Sequence, residues 1–280
     1  MPGSTPGATY DVAVWRLLDT GWQDGASNMA IDEAILRAVA SGHSPPTLRF
    51  SGWDPPCLSL GYAQSWDVVN RATCERHGWG VVRRPTGGRA ILHIDELTYS
   101  VCAPESEPRV EGGILTSYRR LSDALAAGLA RLGLRPARAP GQGSEENGGG
   151  PACFDAPSNF EITIGGRKLI GSAQARKQGV VLQHGTLPLY GDITRIAEAI
   201  TNNEEQQTGI RQRLLESAIT LEESLGQRLS YDHVVTKLGE GFGEALNLRL
   251  EPGELSAWEG EQAQIIRAEK FANEAWTRRL

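Results

Sequence analysis

The chain has 280 residues, 40% hydrophobic, 22% charged and 6% aromatic, enough for one large domain or two small ones with a well-buried core. Its 28 basic and 34 acidic residues leave a net charge of −6, which excludes the broad phosphate attraction of a nucleic-acid binder and requires any basic site to be local. No apolar run approaches the roughly 20 residues that cross a bilayer, and MPGSTPGATYDV has neither a basic nor an apolar export segment, so the expected location is the cytoplasm.

Residues 1–11 read as a flexible tail, and the alternation in DVAVWRLL predicts a strand. In SNMAIDEAILRAVASG, Ile31, Ile35 and Val39 recur at helical spacing, with Ser27 or Asn28 as the cap and Gly42 as the stop. From Thr47 to Val101 short strand-like runs (TLRFSGW, CLSLGY, GVVRRP, AILHI, LTYSVCA) alternate with Gly and Pro, interrupted by a short helix around Val68 to His77. SYRRLSDALAAGLARLG is a second helix, with Leu121, Leu125, Leu129 and Leu132 in one stripe and Gly133 at its end.

Residues 137–151, nearly devoid of apolar side chains, read as a mobile surface loop. SNFEITIGGRKLIGSAQ then predicts a hairpin about Gly165-Gly166. That register sets Thr163 opposite Lys168 and Ile162 opposite Leu169, and turns Lys168 away from the core. GVVLQHGTLPLY is a further strand, and the rest carries helical patterns such as ITRIAEAI and LEESL. The expected division is a tail (1–11), a main domain (12–200) and a helical extension (201–280) packed on that domain.

The densest chemical signal is Arg83-Arg84-Pro85-Thr86-Gly87-Gly88-Arg89-Ala90. Glycine-freed backbone amides flanked by guanidiniums suit an anionic or carbonyl-bearing ligand; a Gly-Gly between strands is equally the mark of a plain turn. It is neither a Walker loop nor a dinucleotide GxGxxG. The four cysteines, Cys57, Cys74, Cys102 and Cys153, form no CxxC pair, so neither a disulfide framework nor a thiolate zinc site is expected. With no HExxH and no calcium loop, no metal is expected either. Cys57, Cys74 and Cys102 sit in apolar or helical contexts that suit small buried hydrophobes, and His184 alternates with apolar residues as a hydrogen-bonded structural histidine does.

NMAIDE, RRPTGGRAILHIDELTYSV, GRKLIGSAQ and GVVLQHGTLPL occur in the order and spacing of the lipoate and biotin protein ligase superfamily. The chain resembles, more narrowly, the octanoyltransferase branch related to lipoate ligase A, in which a Cys-Phe dipeptide, here Cys153-Phe154, precedes the hairpin. The resemblance spans about residues 12–200, with a looser match over the last 80. It implies an α+β fold with a central mixed sheet flanked by helices and an acyl tunnel beneath the Gly-Gly loop. It also implies Cys153 as the acyl-accepting nucleophile and Lys168 as the cation beside the thioester carbonyl. Arg84, Gly87, Gly88, Arg89 and His93, with Gly171, Ser172 and Ala173, would line the substrate pocket. No cofactor is implied; the implied partners are octanoyl-acyl carrier protein and a lipoyl domain or the glycine-cleavage H protein, with neither nucleic acid nor membrane.

Elementary chemistry agrees. A free thiol has a pKa near 8.5, so a nearby ammonium raises its reactive fraction, and Lys168 follows Cys153 by 15 positions in a chain with 24 arginines and only four lysines. An ATP-dependent lipoate ligase of the same fold and a non-catalytic acyl- or carrier-binding protein are the competing readings. Thioester-to-amide transfer runs downhill without ATP and uses a cysteine, whereas a ligase makes an acyl-adenylate and needs none; an inert Cys153 would favour binding alone. Arg83, Arg89, Arg176 and Lys177 are the expected basic rim for carrier docking, with Asp95, Glu96 and Glu161 as competing internal partners.

Overall fold

The computed structural model describes residues 10–138 and 161–280. The elements are, in chain order, β1 (Ala13–Gln23), α1 (Gly25–Ala40), β2 (Thr47–Trp53), β3 (Cys57–Leu60), α2 (Arg71–His77), β4 (Gly80–Arg83), β5 (Ile91–His93), β6 (Glu96–Pro104) and α3 (Ile114–Arg131). There follow β7 (Ala137–Arg138), β8 (Ile162–Ile164), β9 (Arg167–Lys177), β10 (Val180–Pro188), α4 (Ile196–Ile200), α5 (Glu204–Ser217), α6 (Leu221–Leu225), α7 (Tyr231–Leu246), β11 (Leu248–Pro252), α8 (Ala257–Ile266) and α9 (Glu274–Thr277).

Eight strands form one sheet in the order β11-β1-β2-β6-β10-β9-β8-β7. β1 is parallel to both neighbours and the other pairings are antiparallel, so the sheet is mixed and helix-flanked, as expected. β4-β3-β5 form a separate small sheet. One face of the large sheet packs against α3 and α7, where Phe50, Tyr99, Leu121, Leu125, Leu129, Leu238 and Phe242 are buried together. These two helices touch backbone to backbone: a Cβ on Gly241 would stand 2.2 Å from the Gly128 nitrogen. The other face is covered by α1 and α8 through Leu18, Ile31, Ile35, Leu182 and Ile266. α4 and α5 close the small sheet over Leu58, Leu60 and Leu92.

Several local expectations need correction. The α1 cap is Asp24, whose carboxylate accepts the Ser27 amide, not Ser27 or Asn28, because the helix begins three residues earlier than its apolar periodicity. Ala137 and Arg138 pair with β8 and so are strand; the remainder of the loop expected at 137–151 lies outside the described residues, as does most of the tail. The extension is more than helical. β11 adds an edge strand beside β1, while Ser256 and Glu259 form a capping box at α8 in which Glu259 also pairs with Arg16 of β1 at 2.6 Å.

The hairpin keeps its predicted Thr163–Lys168 pair, but a bulge then sets Ile162 opposite Ile170 instead of Leu169. Lys168 does not leave the core: it is 1% exposed. The extension covers it, since Ala218 bridges Lys168 and the Ile219 amide donates to the Lys168 carbonyl at 3.0 Å. Among the described residues no helix is long and apolar enough to cross a membrane.

Candidate functional site

The RRPTGGRA segment leaves β4 and folds into a loop built around Arg84. This buried guanidinium donates to the Gly87 carbonyl at 2.9 Å, the Arg89 carbonyl at 2.7 Å and the Ser59 carbonyl and hydroxyl at 3.1 Å. A fork of fixed donors satisfies several carbonyls that a lysine would leave unmet. Gly88 has φ +92°, and a Cβ on Gly61 would stand 1.8 Å from its carbonyl oxygen, so both positions need glycine. Gly87 faces open space and has no such constraint, leaving its exposed backbone to a ligand.

Two hydrogen-bonded relays hold this loop. In the first, Ser59, which accepts from Arg84, meets His93 Nε2 at 2.7 Å, and His93 Nδ1 meets Glu96 at 2.7 Å. Trp53 stacks on the imidazole at 3.8 Å between ring centres. His93 is therefore buried, engaged at both nitrogens, and reaches the loop through Ser59 and Arg84. In the second, Thr86 meets His184 Nε2 at 2.7 Å, His184 Nδ1 lies 3.4 Å from Asp32, and Asp32 accepts from Arg49 at 2.7 Å and Ser100 at 2.7 Å. Burial pushes the His184 pKa down, against the pull of Asp32. Burial also opposes ionisation of Asp32, yet the Arg49 charge and the His184 and Ser100 hydrogen bonds hold its pKa below the ordinary carboxylate value. His184 is thus hydrogen-bonded as expected, and it links α1 to the Gly-Gly loop.

Beneath the loop lies an open cleft of about 490 Å³, lined by Tyr62, Gln64, Gly87, Gly88, Arg89 and Gln174 among others. Its floor is β9, which runs past the end of β8 beyond Gly171, so that Ser172 to Arg176 are only half-buried. Ser172 is fixed by Tyr99, hydroxyl to hydroxyl at 2.7 Å, and its carbonyl accepts from Tyr118 at 3.2 Å. Gly171, Ser172 and Ala173 pair with Thr186, Gly185 and His184 of β10. Gly87, Gly88 and Arg89 thus line the cleft with Gln174 and Ala175 of β9, whereas Arg84 holds the loop by its carbonyls and Gly171, Ser172 and Ala173 lie just before Gln174 on that strand, outside the cleft lining.

Lys168 lies three residues before Gly171 on that strand, with its ammonium ion-paired to Glu161 in the interior. Cys153 and Phe154 lie outside the described residues. The other three cysteines are buried. Burial pushes up the Cys57 and Cys102 thiols and takes Cys74 to about 11, which leaves them protonated and unreactive at neutral pH.

The rim expected from sequence is only partly one. Arg83 is wholly buried and donates to the carbonyls of Gly61 at 2.9 Å, Gln64 at 2.5 Å and Thr277 at 3.0 Å, because the C-terminal segment folds over it; the Trp276 indole donates in turn to the Arg83 carbonyl at 2.9 Å. Arg176 pairs with Glu105 at 3.4 Å. Arg89 lines the cleft and Lys177 is half-exposed. The anticipated acids pair elsewhere: Asp95 with Arg195, Glu96 with His93 and Glu161 with Lys168. The sequence reading assigned no role to Asp32, although Asn28 and Asp32, four apart beside an isoleucine stripe, form a polar pair on a buried helix face.

The family model of the lipoyl protein ligase A/B catalytic domain matches residues 24–243. Octanoyltransferase LipM of Moorella thermoacetica is 46% identical over 273 residues, covering 95% of this chain and 98% of that protein. The corresponding enzyme of Kyrpidia tusciae is 44% identical over 266 residues (93% and 97%), and that of Bacillus subtilis 37% over 269 residues (94% and 97%). Among solved structures, protein Ta0514 of T. acidophilum, with bound lipoic acid, superposes with a TM-score of 0.77 at 25% identity, covering 96% of this chain and all of that one. A lipoate-protein ligase A bound with ATP gives a TM-score of 0.78 at 24% identity, with 95% and 99% covered.

Proposed function

The chain belongs to the lipoyl protein ligase A/B catalytic domain family, and from that premise we propose that it is an octanoyltransferase working in the cytoplasm on acyl carrier protein and lipoyl acceptors. It takes an octanoyl group from the carrier thioester and delivers it to a lysine of a lipoyl domain or of the glycine-cleavage H protein, the first step of protein lipoylation. The observation that carries this reading is 37–46% identity to octanoyltransferases over nearly the full length of the chain. Burial of the three described cysteines supports Cys153 as the nucleophile.

The octanoyl chain enters the cleft beneath Gly87-Gly88, along Gly171 to Ala173. A side-chain-free loop tip at Gly87-Gly88, with Gly87 facing open space, and the small Ala175 on the strand leave room for it. The Cys153 thiolate attacks the thioester carbonyl, the tetrahedral oxyanion is held by backbone amides of the loop and by the Lys168 ammonium, and the carrier thiolate leaves and takes up a proton. The neutral acceptor amine then attacks the acyl-enzyme, an amide bond forms, the Cys153 sulfur departs, and the amine's proton is released. Arg84, His93, Asp32 and His184 act as positioning residues through the two relays.

An apo lipoyl domain incubated with octanoyl carrier tests this by mass: product should form without ATP or magnesium, and free octanoate with ATP should give little. ATP-dependent ligation of the free acid at the rate of transfer would make the protein a ligase instead.

A further inference from the structure

Beyond Ala175 of the cleft floor, at the end of β9, cations outnumber acids. Glu33 of α1, 3% exposed, receives Arg37 at 2.6 Å, Lys177 at 3.5 Å and Lys270, its nearest partner. Three cations thus share one carboxylate. Burial and the repulsion of Lys177 and Arg37 hold the Lys270 pKa below that of a free lysine, despite Glu33. From Lys270 an aromatic ladder leads back to the cleft: its ammonium lies 4.4 Å from the Trp276 ring, and Arg279 sits 4.1 Å from Trp276 and 3.8 Å over Tyr62. Arg279 donates to the Tyr62 carbonyl at 2.8 Å and has no carboxylate partner among the described residues.

Tyr62 lines the cleft, and the cleft floor at Gln174 and Ala175 continues along β9 to Lys177. The phenol senses the whole group, since a hydrogen bond from Arg279 and the charges of Arg279, Lys270 and Lys177 hold its pKa below the ordinary tyrosine value. Two of the four lysines in the chain meet here, from β9 and from the π-helical stretch Arg267–Phe271 after α8, on a protein of net charge −6. Excess positive charge at one end of an acyl cleft calls for an anion on the incoming donor.

We infer that Lys177, Lys270 and Arg279, grouped about Tyr62, form a phosphate subsite that receives the phosphodiester of the donor's pantetheine arm. The arm lies along the cleft with its thioester at the Gly-Gly loop and its phosphate between the two lysines and the guanidinium. The inference rests on the octanoyl-carrier reading, and it moves the electropositive contact from the sequence-expected Arg83 and Arg176 to the C-terminal segment.

Calorimetric titration of the full chain with 4′-phosphopantetheine, pantetheine and inorganic phosphate tests it without any turnover. A charge-assisted contact should make 4′-phosphopantetheine bind about tenfold or more tighter than pantetheine, and tighter than inorganic phosphate. Lys270→Gln and Arg279→Gln should each remove most of that margin and leave pantetheine binding unchanged. Arg279→Gln spares every ion pair of Glu33, so its result stands even if Lys270→Gln fails to fold. No margin in the wild type, a margin that survives Arg279→Gln, or inorganic phosphate bound as tightly as the arm would overturn the subsite. A margin that depends on Arg279 in a protein that transfers no octanoyl group would uphold the subsite and reject the transferase reading.

Discussion

Gly61→Ala should damage catalysis although Gly61 itself does not line the cleft. A Cβ at Gly61 would lie 1.8 Å from the Gly88 carbonyl oxygen, whereas non-bonded heavy atoms settle at about 3.5 Å. The flexible end of a side chain cannot absorb that overlap, because the obstacle is backbone. The loop is also tied from three sides: Arg84 holds the carbonyls of Gly87 and Arg89, the Tyr62 amide donates to the Thr86 carbonyl at 2.8 Å, and the Thr86 hydroxyl is bonded to His184. Overpacking of this kind costs about 1–3 kcal/mol, and displacing reacting groups by about 1 Å costs about 10²-fold in rate. Urea unfolding and octanoylation of an apo lipoyl domain should show both losses in Gly61→Ala. Gly87→Ala, whose Cβ meets nothing within 4 Å, should keep wild-type stability, so that any loss of rate there reports on contact with substrate. A Gly61→Ala enzyme with wild-type stability and turnover would refute the packing argument.

Lys168→Ala should cost roughly 3–5 kcal/mol by breaking the buried ion pair with Glu161, whereas Lys177→Ala removes a half-exposed charge and costs little. The double variant Lys168→Met, Glu161→Gln should recover much of the stability by urea unfolding yet remain inactive, and recovered octanoylation would demote Lys168 to a structural charge. The depressed pKa of His184 makes the neutral ring the folded form. The unfolded chain therefore takes up the proton first as pH falls below about 6.5, and stability complete above that value declines below it. In His184→Gln the slope of unfolding free energy between about pH 7 and pH 5 should flatten, and an unchanged slope would show that other groups set it.

Much of the fold around the candidate site was legible because its motifs are local. The Gly-Gly loop, the hairpin about Gly165-Gly166 and the Leu121-Leu125-Leu129 stripe each occupy one stretch of chain and stand where periodicity and turn chemistry put them. What escaped was set by contacts distant in sequence. Arg83 is expected on the rim and Arg84 in the pocket lining, yet both are buried, the first because Thr277, 194 residues on, returns to accept its hydrogen bond. Lys168 obeyed its predicted pairing and still ended in the interior, because residues 218–219 close over a face that the hairpin alone would expose. β11 alternates Leu248-Arg249-Leu250-Glu251, but the run is short and follows directly on α7, so it reads as part of a helical tail and stands out as a strand only by lying beside β1. Arg279 and Lys270 drew no attention in a helical tail, since nothing local connects them with Tyr62 across more than 200 residues.

The central claim is that octanoyl passes through a thioester on Cys153, and intact-protein mass measured after mixing with octanoyl carrier in the absence of ATP tests it most directly. Wild-type protein should gain the mass of one octanoyl group, discharged on addition of an apo lipoyl domain. Cys153→Ala should gain none and transfer none, while Cys57→Ala, Cys74→Ala and Cys102→Ala behave as wild type. A Cys153→Ala protein that still transfers at the wild-type rate would contradict the covalent mechanism.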